Sequence, residues 1–425
     1  MEIKIASEKN NNKLLLGYYF VLFILTFFLS RPNVTYGETI RLGYLVLLVI
    51  PLFASKKYSI AAFTTFVGIS FNSFYPMLPS IYTPYVLIAF IITYPLIGLR
   101  KNRFTIPIIF LFFVMRECLC PEINIEFLVW SFVAIMFSTK INTEEDVKHL
   151  IISFIAISFF LSCMLLLYGS FFLSVYSISD NLERAGWINQ NIFGGTVGLG
   201  QILALYLLLN RKKLNINKSL QIFCMVTFAI CYAALIINSS RGVIISVTLC
   251  SILFLCISKV KIQNLVIAFI VMFIFVVYLY NNGYFELLIY RMQDDTLETG
   301  GGRTVILIEK LRAFFKLPIL EQMFGLGSKN SILLSNIKLD THNDFATSLF
   351  AYGYIGLILF VTFILAPLFI VSRKCRKTIV ILLLYLLLES IILSPIMRGY
   401  FLFIMFYVLI LRIAYLSKNN EFLIK

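Results

Sequence analysis

The polar side chains with the potential for chemistry fall in short clusters that long apolar runs separate. They are Arg184 with Asn191 (RAGWINQN), Ser240-Arg241-Gly242 in a tight turn, Gly302-Arg303 after two further glycines, and His342-Asn343-Asp344. A guanidinium presents a planar fork of donors that matches phosphate oxygens, and it stays charged when partly dehydrated. Glycine beside an arginine lets the backbone come close to a ligand. The clusters therefore predict a site for a phosphate-bearing molecule.

His342 is the candidate for proton chemistry in this set. A neutral histidine accepts or orients a hydroxyl proton near pH 7, and arginines stabilise a departing anion without a metal ion. This combination indicates a transfer reaction in which a lipid pyrophosphate is the leaving group. No metal site and no cofactor are predicted, because the chain has 2 histidines and its 8 cysteines form no CxxC pair.

Each of these residues also has a purely structural interpretation. Arg241 could anchor the end of a membrane span, and Arg303 could be a solvated loop charge. The segment around Asn191, like His342, could cap a helix. Glu389 is an ionisable group inside an apolar run, which makes it a functional hypothesis, with internal pairing to an arginine as the favoured interpretation.

The elements that must position the clusters are membrane-spanning helices. The 425 residues are 60% hydrophobic and 13% charged, which is more apolar surface than a soluble domain buries. About fourteen apolar runs are long enough to cross a bilayer. They lie near 14–30, 40–55, 58–75, 83–99, 104–117, 124–138, 149–177, 192–210, 219–237, 242–258, 263–280, 345–371, 378–396 and 399–416. The sequence predicts an all-α polytopic membrane protein.

The charge pattern orients this protein in the membrane. The net charge of +15 sits at the ends of alternate runs, as the positive-inside rule expects, and forms no single patch that would bind nucleic acid. Both termini are then cytoplasmic. We interpret 1–425 as a single integral membrane domain and 281–344 as its one large external loop. Within the loop, 304–316 has apolar residues at helical spacing and predicts an amphipathic helix at the outer interface, stopped by Pro318.

The chain from residue 184 to 357 resembles the superfamily of bacterial O-antigen ligases and polysaccharide polymerases. The resemblance is carried by Arg184-Ala185-Gly186 with Asn191, Ser240-Arg241-Gly242, Gly302-Arg303, Pro318, Gly325-Leu326-Gly327, and the run THNDFATSLFAYGYIG. The last run is the most specific. Two departures stand out: aliphatic residues replace an aromatic in the amphipathic helix, and Asn189-Gln190-Asn191 stands where many members have Asn-Pro-Asn.

The resemblance implies a metal-independent, inverting glycosyltransferase, multi-pass in the bacterial cytoplasmic (inner) membrane and active at its outer face. Its donor would be an oligosaccharide linked to undecaprenyl pyrophosphate. Arg241 and Arg303 would hold the pyrophosphate, and His342 would position or deprotonate the acceptor hydroxyl. The further substrate-binding residues would be Arg184, Asn191, Asn343 and Asp344. Membrane lipid is an implied partner, and a chain-length regulator protein is a candidate partner.

The sequence leaves three candidate functions. We favour a repeat-unit polymerase for O-antigen or capsule, because the short apolar chain, rich in Phe, Ile and Lys, is typical of enzymes matched to one repeat unit. A ligase that moves finished polymer to the lipid A core presents the same arginine and histidine residues. A flippase or other transporter ranks third, because it needs charges along a path through the spans, whereas the notable charges here gather at one face.

Overall fold

The computed structural model describes residues 17–28, 59–72, 107–119, 124–168, 190–211, 214, 216–258, 303–335 and 341–418, with isolated positions between 43 and 289. Every regular element in these ranges is a helix and none is a strand, which confirms the predicted all-α class. The predicted run near 83–99 and Arg184 lie outside the described residues. The runs near 40–55 and 263–280 also lie outside them, apart from isolated positions.

We number the helices in chain order. They are α1 Gly17–Phe28, α2 Ser59–Asn72, α3 Pro107–Cys118, α4 Ile125–Ser138, α5 Glu144–Tyr168, α6 Gln190–Leu209, α7 Lys218–Asn238, α8 Arg241–Ile257, α9 Arg303–Phe314, α10 Ile319–Phe324, α11 Asp344–Ile370, α12 Arg376–Ile392 and α13 Phe401–Lys418, with a 3₁₀ turn at Asn330–Leu333.

Several of these helices have the length and composition of membrane spans. Within the described ranges, 5 stretches are long and apolar enough to cross a bilayer: Glu144–Leu167, Asn191–Leu209, Lys218–Asn238, Asp344–Ile370 and Phe401–Lys418. Shorter apolar helices include Gly17–Phe28 and Arg241–Ile257. The helices support a membrane protein, while the count of about fourteen spans and the cytoplasmic termini stay predictions.

The chain divides into two compact units, one formed by 1–101 and 137–234 and the other by 102–136 and 235–425. In the first unit α5 packs against α2 and α6. The α5–α6 contact is close at Gly200, where an added Cβ would lie 2.2 Å from the Ser158 hydroxyl oxygen. That hydroxyl donates to the Thr196 carbonyl at 2.9 Å. Small residues thus let two apolar helices approach, as is common in membrane bundles.

In the second unit, a break in α11 receives the glycine turn at Gly325 and Gly327. Gly353 interrupts the helix with φ 72°, and the backbone amides of Leu326 and Gly327 donate to the carbonyls of Phe350 and Ala351 at 3.1 and 2.7 Å. A Cβ on Gly325 would lie 2.3 Å from the Ala351 backbone. The turn at Gly325 and the helix break at Gly353 therefore pack on each other, and neither glycine tolerates a side chain.

A buried carboxylate fastens the same glycine turn to α3. Glu117 accepts from the Ser328 amide and hydroxyl, both at 3.0 Å, and from the Tyr352 hydroxyl at 2.8 Å. Beside it, Arg116 donates to the carbonyls of Phe324 and Gly325. Buried polar groups that are satisfied in this way rigidify a fold. Arg116 and Glu117 thus hold the segment 324–328 in place.

The predicted amphipathic helix forms α9, with one correction. The amphipathic pattern of 304–316 predicts that the charged Lys310 lies on the polar face, but Lys310 is 1% exposed. Its ammonium donates to the carbonyls of Ser331 and Ile332 at 2.8 and 3.0 Å. Ser331 and Ile332 lie in the 3₁₀ turn Asn330–Leu333, and carbonyls at the end of a short helix need a donor, which explains why a lysine lies on the buried side. Phe314, at the end of α9, packs on Phe350 of α11.

Candidate functional site

The site lies in the second unit, where α8 and α9 begin and α12 ends. Gly242, the second residue of α8, lies so close to Ile392 that an added Cβ would be 2.8 Å from its Cδ1 atom. Arg303, the first residue of α9, donates from Nη1 to the carbonyl oxygen of Ile392 at 2.7 Å. A cation suits the last carbonyls of a helix because they carry its negative dipole end. The end of α12 therefore brings the Arg241 and Arg303 segments together.

A third arginine joins these two. Burial lowers the pKa of Arg303, and the positive charges of Arg398 and then Arg241 lower it further. Like charges disfavour one another at short range, yet a guanidinium stays protonated in proteins. Gathering three guanidinium groups raises the local positive potential, and a bound anion with several oxygens would relieve it.

Arg398 lies in the turn 393–400 that follows α12, and Asp344 fixes that turn. The Asp344 carboxylate is fully buried. It accepts from the Met397 amide at 2.8 Å, the Ile396 amide at 3.2 Å and the Ser394 hydroxyl at 3.0 Å. Asp344 is the first residue of α11, so the start of this helix sets the position of Arg398. The geometry favours a positioning role for Asp344 over direct substrate contact.

His342 meets Arg398 across this corner. The Arg398 Nη2 atom lies 3.1 Å from His342 Nδ1, and its Nη1 atom donates to the Tyr400 hydroxyl at 3.3 Å. His342 has φ 51°, a left-handed conformation that a residue with a side chain seldom adopts. Such conformations persist where surrounding contacts fix them, and they are enriched at functional sites.

Asn343 supplies one of those contacts. Its side-chain oxygen accepts from the amides of Phe345 and Ala346 at 2.9 and 3.1 Å, which makes it the N-cap of α11. The sequence suggested that His342 could be the cap, but the cap is the next residue. Asn343 was predicted to bind substrate, and in the structure its oxygen is committed to the helix end.

The remaining predicted residues are Asn191, Arg184 and Glu389. Asn191 belongs to the first unit, where it is the second residue of α6. Arg184 lies outside the described residues. Glu389 is buried in α12, and neither of its carboxylate oxygens has a hydrogen-bond partner within the described ranges. The pairing with an arginine that the sequence suggested for Glu389 is therefore not formed there.

Sequence reasoning missed the part that Arg398 plays. The sequence pattern assigned no role to Arg398. The available signal was the polar gap around Met397-Arg398-Gly399 between the last two apolar runs. Within the described residues no group of three or more His, Cys, Asp or Glu side chains lies together, and metal-independent catalysis stays a prediction.

A comparison with protein families matches residues 225–361 to the family described as O-antigen ligase. These residues are similar to the O-antigen ligase family. The recognition of the ligase and polymerase superfamily from the motifs is thereby confirmed. The matched range contains Arg241, Arg303 and His342, and it ends before Arg398. No curated protein matches the chain significantly.

Proposed function

We propose that the protein is a repeat-unit polymerase of O-antigen or capsule synthesis. It would join oligosaccharides carried on undecaprenyl pyrophosphate at the outer face of the bacterial cytoplasmic membrane. The observation that carries the proposal is the convergence of Arg241, Arg303 and Arg398 beside His342, within and just beyond the family-matched residues. A cluster of guanidinium groups suits a pyrophosphate because guanidinium N–H groups donate to phosphate oxygens and their positive charge offsets the charge of the anion.

The helices that begin at the cluster add to its preference for anions. Arg241 and Arg303 are the first residues of α8 and α9, whose N-terminal amides carry partial positive charge. The first turn of α8 can therefore contribute to binding of the donor phosphates.

The transfer step follows from this arrangement. The acceptor hydroxyl oxygen bonds to the anomeric carbon of the donor sugar, while the bond from that carbon to the pyrophosphate oxygen breaks. The electron pair leaves on the pyrophosphate, and the arginines stabilise the developing charge. Attack opposite the leaving group inverts the anomeric centre. Because the arginines take the part a metal ion would play, we expect turnover to survive a chelator.

The second candidate function is ligation of finished polymer to the lipid A core, and the description of the matched family favours it. Both functions use the same donor and the same arginine cluster, and they differ in the acceptor. A chain-length regulator protein stays a candidate partner of the polymerase. A flippase is disfavoured, since the charged groups of the cluster meet at helix ends and not along a path within the helices.

The test is the surface-polysaccharide ladder of a strain that lacks this gene. A polymerase predicts collapse to a single repeat unit on its normal anchor, and the gene should restore the ladder. Arg303→Ala and His342→Ala variants should fail to restore it, whereas Arg312→Ala should succeed, because Arg312 is exposed on the same helix, α9. Loss of anchored glycan while long chains persist on the carrier lipid would indicate a ligase. A full ladder from the Arg303→Ala strain would refute the assigned site.

A further inference from the structure

We propose that Arg398 fixes His342 in the tautomer that donates a hydrogen bond to the pyrophosphate of the lipid-linked sugar. His342 is then not the base that deprotonates the acceptor hydroxyl. The inference rests on the proposed function, since it assigns roles within the same transfer reaction. It makes Arg398 a positioning residue for His342, in a part of the chain that lies beyond the family-matched residues.

The hydrogen-bonding capacities of the two side chains decide which atom donates and which accepts. Every nitrogen of a guanidinium is a donor, and the group has no acceptor. The 3.1 Å contact between Arg398 Nη2 and His342 Nδ1 therefore requires a lone pair on Nδ1. A histidine ring with a lone pair on Nδ1 carries its proton on Nε2. In this tautomer both ring nitrogens are committed, and the ring cannot take a hydroxyl proton at Nε2.

The fold fixes both partners of this contact from one place, the start of α11. Asp344 holds the turn that carries Arg398 through the amides of Ile396 and Met397. Asn343 caps the helix directly after His342. Arg398 is also tied to the Tyr400 hydroxyl. The separation between the guanidinium and the imidazole is thus set by a helix end, and rotation of the Arg398 side chain would also break its contact with Tyr400.

A short chain of hydroxyl groups joins the two sides of this corner. Thr347, on the first turn of α11, lies 3.2 Å from both the Thr341 hydroxyl and the Ser394 hydroxyl. Ser394 in turn donates to Asp344. Thr341 precedes His342, and Ser394 begins the turn that carries Arg398. The network therefore links the backbone on either side of the Arg398–His342 contact, as a positioning role requires.

An Nε2–H group beside three guanidinium groups suits an anionic oxygen. The pKa of Arg303 is lowered by burial and then by the positive charges of Arg398 and Arg241, so these guanidinium groups lie near one another. A phosphate held by these arginines lies in the neighbourhood of His342. In the step, the sugar–acceptor bond forms and the sugar–pyrophosphate bond breaks. The hydroxyl proton leaves on a phosphate oxygen of the departing group, and His342 ends the step with the proton it began with. Charge-assisted donation to that phosphate is the contribution of His342.

The direct test is the tautomer of His342, read by ¹⁵N nuclear magnetic resonance of histidine-labelled protein in lipid nanodiscs. The chain has 2 histidines, so the His149→Gln background leaves His342 as the only signal. We expect a protonated Nε2 and a hydrogen-bonded, unprotonated Nδ1. Arg398→Met should abolish that pattern and Arg398→Lys should restore it, because lysine retains a charged donor. A proton on Nδ1 in the background protein would overturn the inference.

Turnover of purified variants with an undecaprenyl-pyrophosphate-linked repeat unit gives the second readout. The amide nitrogen of glutamine can take the place of Nε2, so we expect His342→Gln to stay within about tenfold of the unsubstituted rate. His342→Ala should lose about a hundredfold to a thousandfold, the range for loss of one transition-state donor. If His342 is the base, glutamine should be as inactive as alanine.

The two proposals fail in different ways. If the strain that lacks the gene keeps its full ladder, the proposed function fails, whatever the tautomer of His342. If that ladder collapses while His342→Gln is as inactive as His342→Ala, the proposed function stands and the donor role of His342 fails.

Discussion

Replacing Asp344 with asparagine separates a positioning role from substrate contact. The carboxylate accepts from the Met397 amide and the Ser394 hydroxyl on Oδ1, and from the Ile396 amide on Oδ2. In Asp344→Asn, an amide NH₂ replaces one oxygen while the shape is kept. If this NH₂ group faces the Ile396 amide, two donors oppose each other in a buried place. The turn that carries Arg398 then loses one of its anchors.

The structure sets the size of the effect. An unsatisfied buried donor costs about 1–3 kcal/mol. The two bonds to Oδ1 change from charge-assisted to neutral, which removes about 1 kcal/mol each. An amide costs less to bury than a carboxylate, which offsets part of this loss. We expect the free energy of unfolding to fall by about 2–4 kcal/mol. Displacing Arg398 from His342 should lower turnover by about tenfold to a hundredfold.

Two assays on the same nanodisc samples measure these effects: the thermal unfolding midpoint and the rate of sugar transfer. Asp146→Asn is the matched control. The Asp146 carboxylate also accepts from two backbone amides, those of Asn142 and Thr143, at 3.1 and 3.0 Å. It belongs to the first unit. We expect the control to lower the unfolding midpoint and to leave the transfer rate within about twofold.

Direct contact between Asp344 and substrate gives a different pattern. Asp344→Asn would then lose transfer activity while its unfolding midpoint stayed unchanged. A variant that keeps both its midpoint and its activity would also refute the reasoning, because the three hydrogen bonds would then contribute nothing measurable.

Three further predictions concern the rest of the second unit. Gly353→Ala should prevent stable folding, because its Cβ would lie 2.3 Å from the Met323 carbonyl oxygen at φ +72°; the amount of membrane-inserted protein checks this. Arg303→Lys should keep the midpoint within a few degrees but lower turnover at least about tenfold, since lysine lacks the two-pronged donor; full turnover would count against the phosphate role. Glu117→Gln should lower stability by about 2–3 kcal/mol by weakening four accepted hydrogen bonds, whereas Glu309→Gln should change it by under about 0.5 kcal/mol; equal melting of the two variants would contradict this.

The apolar runs in the sequence predict most of the helices that the structure describes, together with where these helices begin and end. Long apolar runs predict helices in lipid because the backbone has no other way to satisfy its hydrogen bonds there. The helix after Arg303 and the helix after His342 both begin near the predicted positions. Local pattern sufficed for these elements, since each depends on neighbouring residues alone.

The roles of individual polar residues could not be predicted from their neighbours in the sequence. The Asp344 carboxylate accepts a hydrogen bond from the amide of Met397, which is 53 positions away along the chain. The local pattern predicts that Lys310 lies on the polar face of α9, but in the structure its ammonium donates to the carbonyl of Ser331. The contact of Arg398 with His342 depends on the same long-range geometry. Residue types predicted that an arginine and histidine site exists, but only the fold shows which side chains support it.

The most direct test of the central claim is reconstitution of the purified protein in nanodiscs with one undecaprenyl-pyrophosphate-linked repeat unit as the only sugar substrate. The measurement is the length distribution of the lipid-linked products together with the undecaprenyl pyrophosphate released. We predict a ladder in which one lipid pyrophosphate is released for each new sugar bond, present with Arg312→Ala and absent with Arg303→Ala. Unreacted substrate with the unsubstituted protein, or an undiminished ladder with Arg303→Ala, would contradict the account.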